Sequence, residues 1–174
     1  IYVALIYSSI NQCEFDACYM TDNVNAGQMA AKEMLGLLKE AGNLPSEELE
    51  VGIMLSSDTS QAMINRVSGF LEYWSLHSPA KWKIAQDIYL NGGNVEKAQS
   101  DAKKLIDQHE NLKGIFGCSN TSTIGIASEL LEENRKDIVL VGFDMADITV
   151  QIIRNPDYFA GTLMQRQDQM GYLG

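Results

Sequence analysis

The chain has 174 residues, 45% of them hydrophobic and 21% charged, with a net charge of −10 and a pI of about 4.5. That length and composition suit one globular domain that buries its core without disulfide or metal support, and no apolar run reaches the roughly 20 residues of a membrane span. The acidic balance opposes phosphate backbones, so no nucleic-acid partner is expected for this segment.

Ile1–Tyr7 (IYVALIY) reads as a buried strand, and a chain that opens directly in a strand reads as part of a longer protein, so the absence of a leader says nothing about the parent. Asp16–Met20 is a short extended piece leading into Thr21-Asp22-Asn23. Ala26–Ala41 has helical periodicity, with Met29, Ala30, Leu37 and Leu38 on the inner side and Gly42 as its stop. Val51–Leu55 is a strand. Ser60–Trp74 is a helix with an apolar stripe of Ala62, Met63, Val67, Phe70, Leu71 and Trp74. Lys83–Tyr89 is a strand, Asn91-Gly92-Gly93-Asn94 a turn, and Val95–His109 a helix. Gly114–Cys118 is a strand, Thr121–Asn134 a helix, Ile138–Phe143 a strand, Asp147–Arg154 a helix and Phe159–Gln165 a last strand, with a further helix starting at Gln167.

Strands joined by helices of this length need crossover connections, which makes the sheet largely parallel and covered on both faces: a three-layer α/β fold. Open sheets of this kind bind ligands beyond the carboxyl ends of their strands. The polar residues at those ends are Ser56-Ser57-Asp58-Thr59, Ser119-Asn120-Thr121, Asp144 and Gln165. Their hydroxyls, amides and carboxylates are the groups that orient a polyhydroxylated ligand. Such residues also cap helices, and Ser60, Thr121 and Asp147 fit that role; Asp144 and Gln165 sit at no obvious cap.

Catalytic patterns are thin. His109 stands at a helix end, where it suits the helix C-terminus better than base catalysis. The sequence holds no phosphate loop, GxSxG elbow or zinc-like Cys/His spacing, so neither an enzyme nor a metal or cofactor site is expected. Met29, Met34, Met54 and Met63 read as core filling, and Tyr89, near a strand end, has the shape to stack on a sugar face. Three cysteines, Cys13, Cys18 and Cys118, leave at least one thiol unpaired; a Cys13–Cys18 bridge and three free thiols both remain open.

The ordered motifs TDN-x-x-AG (Thr21 to Gly27), R-x-x-GF (Arg66 to Phe70), GIFGCSN-x-x-x-x-G (Gly114 to Gly125), VGFD (Val141 to Asp144) and AGT-x-x-Q-x-x-x-x-x-G (Ala160 to Gly171) resemble the type I periplasmic binding proteins, ribose-binding proteins in particular, and the ligand-binding core of lactose-repressor-type regulators. The resemblance runs along the whole chain. It implies one lobe of a two-lobe clamp, with 1–10 an overhang of the first lobe, 11–165 the second lobe and 166–174 the start of a helix returning to the first. It implies that Asp144 takes two sugar hydroxyls and that Gln165 is a hinge glutamine touching ligand. Ser119 and Asn120 fall where the family has asparagine and aspartate. Ile64 replaces a sugar-gripping arginine, and Arg66 matches a second, structural one. With Ser57 and Asp58, these make up the expected site.

The resemblance further implies a solute receptor of an ABC-type sugar importer, extracytoplasmic and docking on a membrane permease. The alternative it leaves is the effector core of a cytoplasmic lactose-repressor-type regulator, or a sensor domain. Ile1–Tyr7, away from its own sheet, offers a route to oligomers.

Overall fold

The computed structural model describes residues 4–6, 17–166, 168, 169 and 172. Expectations for Cys13 and for the helix start at Gln167 lie outside the described residues. The elements are β1 (Ala4–Ile6), β2 (Ala17–Tyr19), α1 (Asn23–Glu40), β3 (Leu49–Leu55), α2 (Gln61–His77), β4 (Trp82–Leu90), α3 (Val95–Gln108), β5 (Leu112–Gly117), α4 (Asn120–Glu132), β6 (Val139–Phe143), α5 (Asp147–Arg154) and β7 (Ala160–Leu163).

Strands β3 to β7 form one sheet in the order β4-β3-β5-β6-β7, with every neighbouring pair parallel. The chain runs from β3 outward to β4, then crosses back over β3 to β5 and proceeds to the other edge. Right-handed crossovers in the two directions place helices on opposite faces. Accordingly α1 and α2 pack on one face, against Val51, Ile53, Leu55, Phe116, Val141 and Phe143. The other face takes α3, α4 and α5, against Met54, Ile115 and Leu140. The alternation of side chains along each strand separates the two cores. The expected three layers are the observed ones. β1 stands apart from this sheet and pairs in parallel with β2, Leu5 opposite Cys18.

Three glycines set how closely neighbouring helices approach. A Cβ on Gly27 of α1 would overlap the Arg66 carbonyl of α2, and one on Gly69 of α2 would overlap the Val24 carbonyl of α1. The motifs TDN-x-x-AG and R-x-x-GF thus supply the two halves of one helix crossing. On the opposite face Gly125 of α4 meets the backbone of α3 at Ala98.

Several local expectations need correction. α1 starts at Asn23 rather than Ala26, because the Asp22 side chain accepts the Asn25 N–H and caps the helix. Thr121 does not cap α4: Ser119 does, through the Ser122 N–H. Asp147 lies inside α5, whose cap position is Ala146, and there its charge complements the positive helix end. Ser60 holds the cap position of α2 but its side chain makes no capping bond. Met29 is 55% exposed and Leu71 38%, so neither fills the core, whereas Met34, Met54 and Met63 do. Tyr89 turns toward α3, where its hydroxyl donates to Gln108 at 2.6 Å, and its half-buried ring packs against the core on that face.

Candidate functional site

Register alone lines up the carboxyl ends of the strands. Leu90 pairs with Leu55, Met54 with Gly117, Phe116 with Val141, and Phe143 with Leu163. Continuing each ladder by at most two residues gives a last row of Leu90, Leu55, Cys118, Phe143 and Leu163 across the sheet. The residues that follow, Asn91, Ser56, Ser119, Asp144 and Met164, form its rim. Ser57, Ser119, Asp144 and Gln165 therefore share one edge of the molecule, as the strand-end argument requires.

At the β6–β7 end of that rim is a connected polar network. Asp144 has φ of 60°, in the left-handed region that few non-glycine residues occupy. Its backbone is pinned from both sides by β7: its N–H donates to the Leu163 carbonyl at 2.9 Å, and its carbonyl accepts the Thr162 hydroxyl at 2.7 Å. Strained backbone held this firmly is characteristic of ligand clamps. The Gln165 amide nitrogen donates to both carboxylate oxygens of Asp144, each at 3.0 Å. Its amide oxygen accepts from Thr21 Oγ1 at 3.1 Å and from Arg66 Nη2 at 2.8 Å. Donors on one side and acceptors on the other fix the orientation of the amide.

Arg66 anchors the network from below. It is 2% exposed, and its Nε donates to Asn23 Oδ1 and its Nη1 to the Cys118 carbonyl, both at 2.8 Å. Its guanidinium lies 3.9 Å from the centre of the Phe143 ring, within cation–π range. Asn23 in turn donates to the Thr21 carbonyl at 2.9 Å. All three residues of the TDN motif are thereby accounted for: Thr21 holds Gln165, Asp22 caps α1, and Asn23 holds Arg66. Beside the guanidinium, Cys118 carries a free, fully buried thiol whose pKa burial pushes well above the ordinary range, with the Arg66 charge pulling weakly the other way.

The middle of the rim is built around α4. Ser119 Oγ caps the helix and lies 2.9 Å from Ser122 Oγ, which accepts the Asn91 amide at 2.7 Å. Asn120 is different, because its Oδ1 is buried and has no hydrogen-bond partner among the described residues. An orphan amide oxygen of this kind is rare and costly in a finished structure. At the β3–β4 end, Ser57 Oγ accepts the Thr59 N–H and meets Thr59 Oγ1 at 3.0 Å, a local turn at the surface. Asp58 and Ile64 stand there too, lining a cavity of about 360 Å³ with Leu55, Val67, Ser68, Ile88 and Leu90. A larger cavity of about 540 Å³ lies between α1 and β7, walled by Met29, Thr162, Met164 and the outer side of Thr21 and Gln165.

The expected residues thus fall into two groups on one rim. Asp144 and Gln165 are in direct contact, Ser119 and Asn120 open α4 beside them, and Ser57, Asp58 and Ile64 sit at the other end. Sequence reasoning missed Thr21 and Asn23 as members of the network. The signal was present, since both stand in the motif with Asp22, but their partners, Gln165 for Thr21 and Arg66 for Asn23, lie 144 and 43 positions away.

A family model described as periplasmic binding protein domain matches residues 1–174. The chain belongs to the periplasmic binding protein domain family. Solved members with similar folds include XylFII, 29% identical over 99% of this chain and 60% of its own, with a TM-score of 0.84, and again in a XylFII–LytSN complex at 29% identity, 0.85 TM-score and the same coverage. An ABC transporter solute binding protein from Agrobacterium vitis with bound D-fucose is 25% identical over 98% of this chain and 57% of its own, with a TM-score of 0.85. AraP, an arabinose binding protein from Geobacillus stearothermophilus, is 25% identical over 99% of this chain and 56% of its own, with a TM-score of 0.80. The chain therefore spans about three-fifths of the length of the periplasmic binding proteins it matches.

Proposed function

We propose that this chain is the second lobe of the sugar-binding component of an ABC-type importer, and that it binds its ligand without turning it over. The observation that carries this reading is Asp144, a carboxylate at a parallel strand end on a pinned left-handed backbone, oriented by Gln165 and Arg66. A carboxylate so placed accepts two adjacent hydroxyls once the Gln165 amide gives way to them, and the amide nitrogen released from it is then able to donate to a third. Likeness to proteins described as solute binding and arabinose binding supports the ligand class.

In this reading residues 11–165 are the lobe, and 1–10 and 166–174 belong to its companion. Ligand bridges the two lobes and shifts the population to the closed form, which docks on a membrane permease outside the cytoplasm. Calorimetric titration of the full-length protein with monosaccharides tests it. Loss of a carboxylate that holds two hydroxyls in Asp144→Ala weakens the best ligand by about 100-fold or more. Unchanged affinity in that variant overturns the assignment.

A second reading is favoured by the likeness to XylFII, which occurs in a XylFII–LytSN complex. Here the loaded clamp reports sugar to a partner protein instead of delivering it to a permease. Co-purification with a permease or with a sensor protein separates the two readings.

A further inference from the structure

The cavity at the β3–β4 end of the rim has a lining unlike that of the Asp144 network. Its walls are Leu55, Ile64, Val67, Ile88 and Leu90, with Asp58 and Ser68 as the polar residues among its lining. Ile88 and Leu90 of β4 and Ile64 of α2 are 50%, 39% and 40% exposed, large values for apolar side chains between a helix and the sheet it covers. The cause is geometric. β4 is an edge strand, and its register against β3 slips between Val51 and Ile53, so α2 does not reach over its carboxyl end. An open apolar trough is left between α2 and β4.

The trough reaches the same rim, because Leu55 and Leu90 are the last residues of their strands. Counting strands, β3 lies two spacings and β4 three from β6, about 10 and 14 Å from the column of Asp144. A single pyranose is shorter than that span. A pyranose carrying an apolar group on its glycosidic oxygen matches it. A second sugar ring suits the trough badly, since its hydroxyls would be desolvated against aliphatic walls without partners.

We propose that the ligand is a glycoside: the sugar ring sits at Asp144 and Gln165, and a neutral aryl or alkyl aglycone fills the trough of Ile64, Ile88 and Leu90. This proposal rests on the sugar-binding reading above. The test is calorimetric titration of the full-length protein with free monosaccharides, then with the methyl and phenyl glycosides of the best-binding sugar. The phenyl glycoside binds on the order of tenfold tighter than the methyl glycoside, from the apolar area it buries. In Ile88→Ser and in Leu90→Ser, two half-exposed sites whose folding is checked by thermal melting, that ratio falls toward one. A phenyl glycoside no tighter than the methyl glycoside, or a ratio unmoved in both variants, overturns the aglycone seat while leaving the sugar-binding reading standing. Failure of every sugar and glycoside to bind overturns that reading and this proposal with it.

Discussion

Arg66→Met removes the charge at the base of the network while keeping most of the side-chain volume. In the wild-type structure the guanidinium is 2% exposed and donates to Asn23 Oδ1, the Cys118 carbonyl and Gln165 Oε1, each at 2.8 Å. Each bond to a charged group contributes about 1.5–3 kcal/mol singly, but the three share one side chain and their sum overstates the loss. Removing one partner of a buried charged cluster costs about 3–5 kcal/mol, and here the acceptors left behind are neutral, which places the expectation near the lower end, about 3 kcal/mol. For a domain of this size that lowers Tm by about 6–12 °C. Urea unfolding followed by circular dichroism measures it, and an unchanged m-value confirms that stability alone has moved. A loss below about 1 kcal/mol would mean that water replaces the guanidinium without penalty, and the account of Arg66 as a buried anchor would be wrong.

Other substitutions test other parts of the structure. Gly27→Ala drives a methyl into the Arg66 carbonyl and forces α1 from α2, a destabilisation of at least about 1–3 kcal/mol readable in the same urea titration. Asp137 accepts from Arg135 at 2.8 and 3.0 Å and from Lys113 at 3.1 Å, which holds its pKa below the ordinary aspartate range. Its contribution is present above the unfolded-state pKa, near 4, and is lost as pH falls through the lower folded value; Asp137→Asn therefore flattens the acid limb of a stability profile and leaves less difference from wild type at the lowest pH. Glu129 is shifted the opposite way, upward by burial, so its contribution is present at low pH and lost as pH rises through its folded pKa, and Glu129→Gln gains stability relative to wild type at neutral pH in chemical unfolding at a series of pH values. Cys118, buried and with its thiol pKa raised, stays unlabelled by a thiol reagent in the native protein and reacts on unfolding, as peptide mapping by mass spectrometry reports.

The layer structure was legible because it depends on local periodicity. The continuous apolar runs of β3 and β6, buried on both faces, and the helical stripes between strands each follow from residues close in the chain. Gly42, with φ of 88°, ends α1 where the sequence puts its stop. Errors gathered at helix starts, where Thr121 and Asp147 are as good caps by type as Ser119, and only the path of the chain decides between them. Met29 and Leu71 failed for another reason: helical phase places them near the core, but each sits at the margin of what the neighbouring element covers. The rim was legible as a set of strand ends, and Asp144 and Gln165 stood out because no cap explained them. The network was not legible, since its bonds join positions such as Thr21 and Gln165 that are 144 residues apart.

The amide of Gln165 lies against both oxygens of Asp144 and so plays the part of a resident guest. In the sugar-binding reading proposed above, an incoming sugar meets a carboxylate whose backbone is already pinned, and it has to displace the Gln165 amide from both oxygens. The same arrangement sets a threshold: a molecule whose donors serve Asp144 no better than the glutamine does wins nothing there. In that reading, discrimination at this end of the rim follows from competition with the protein's own side chain.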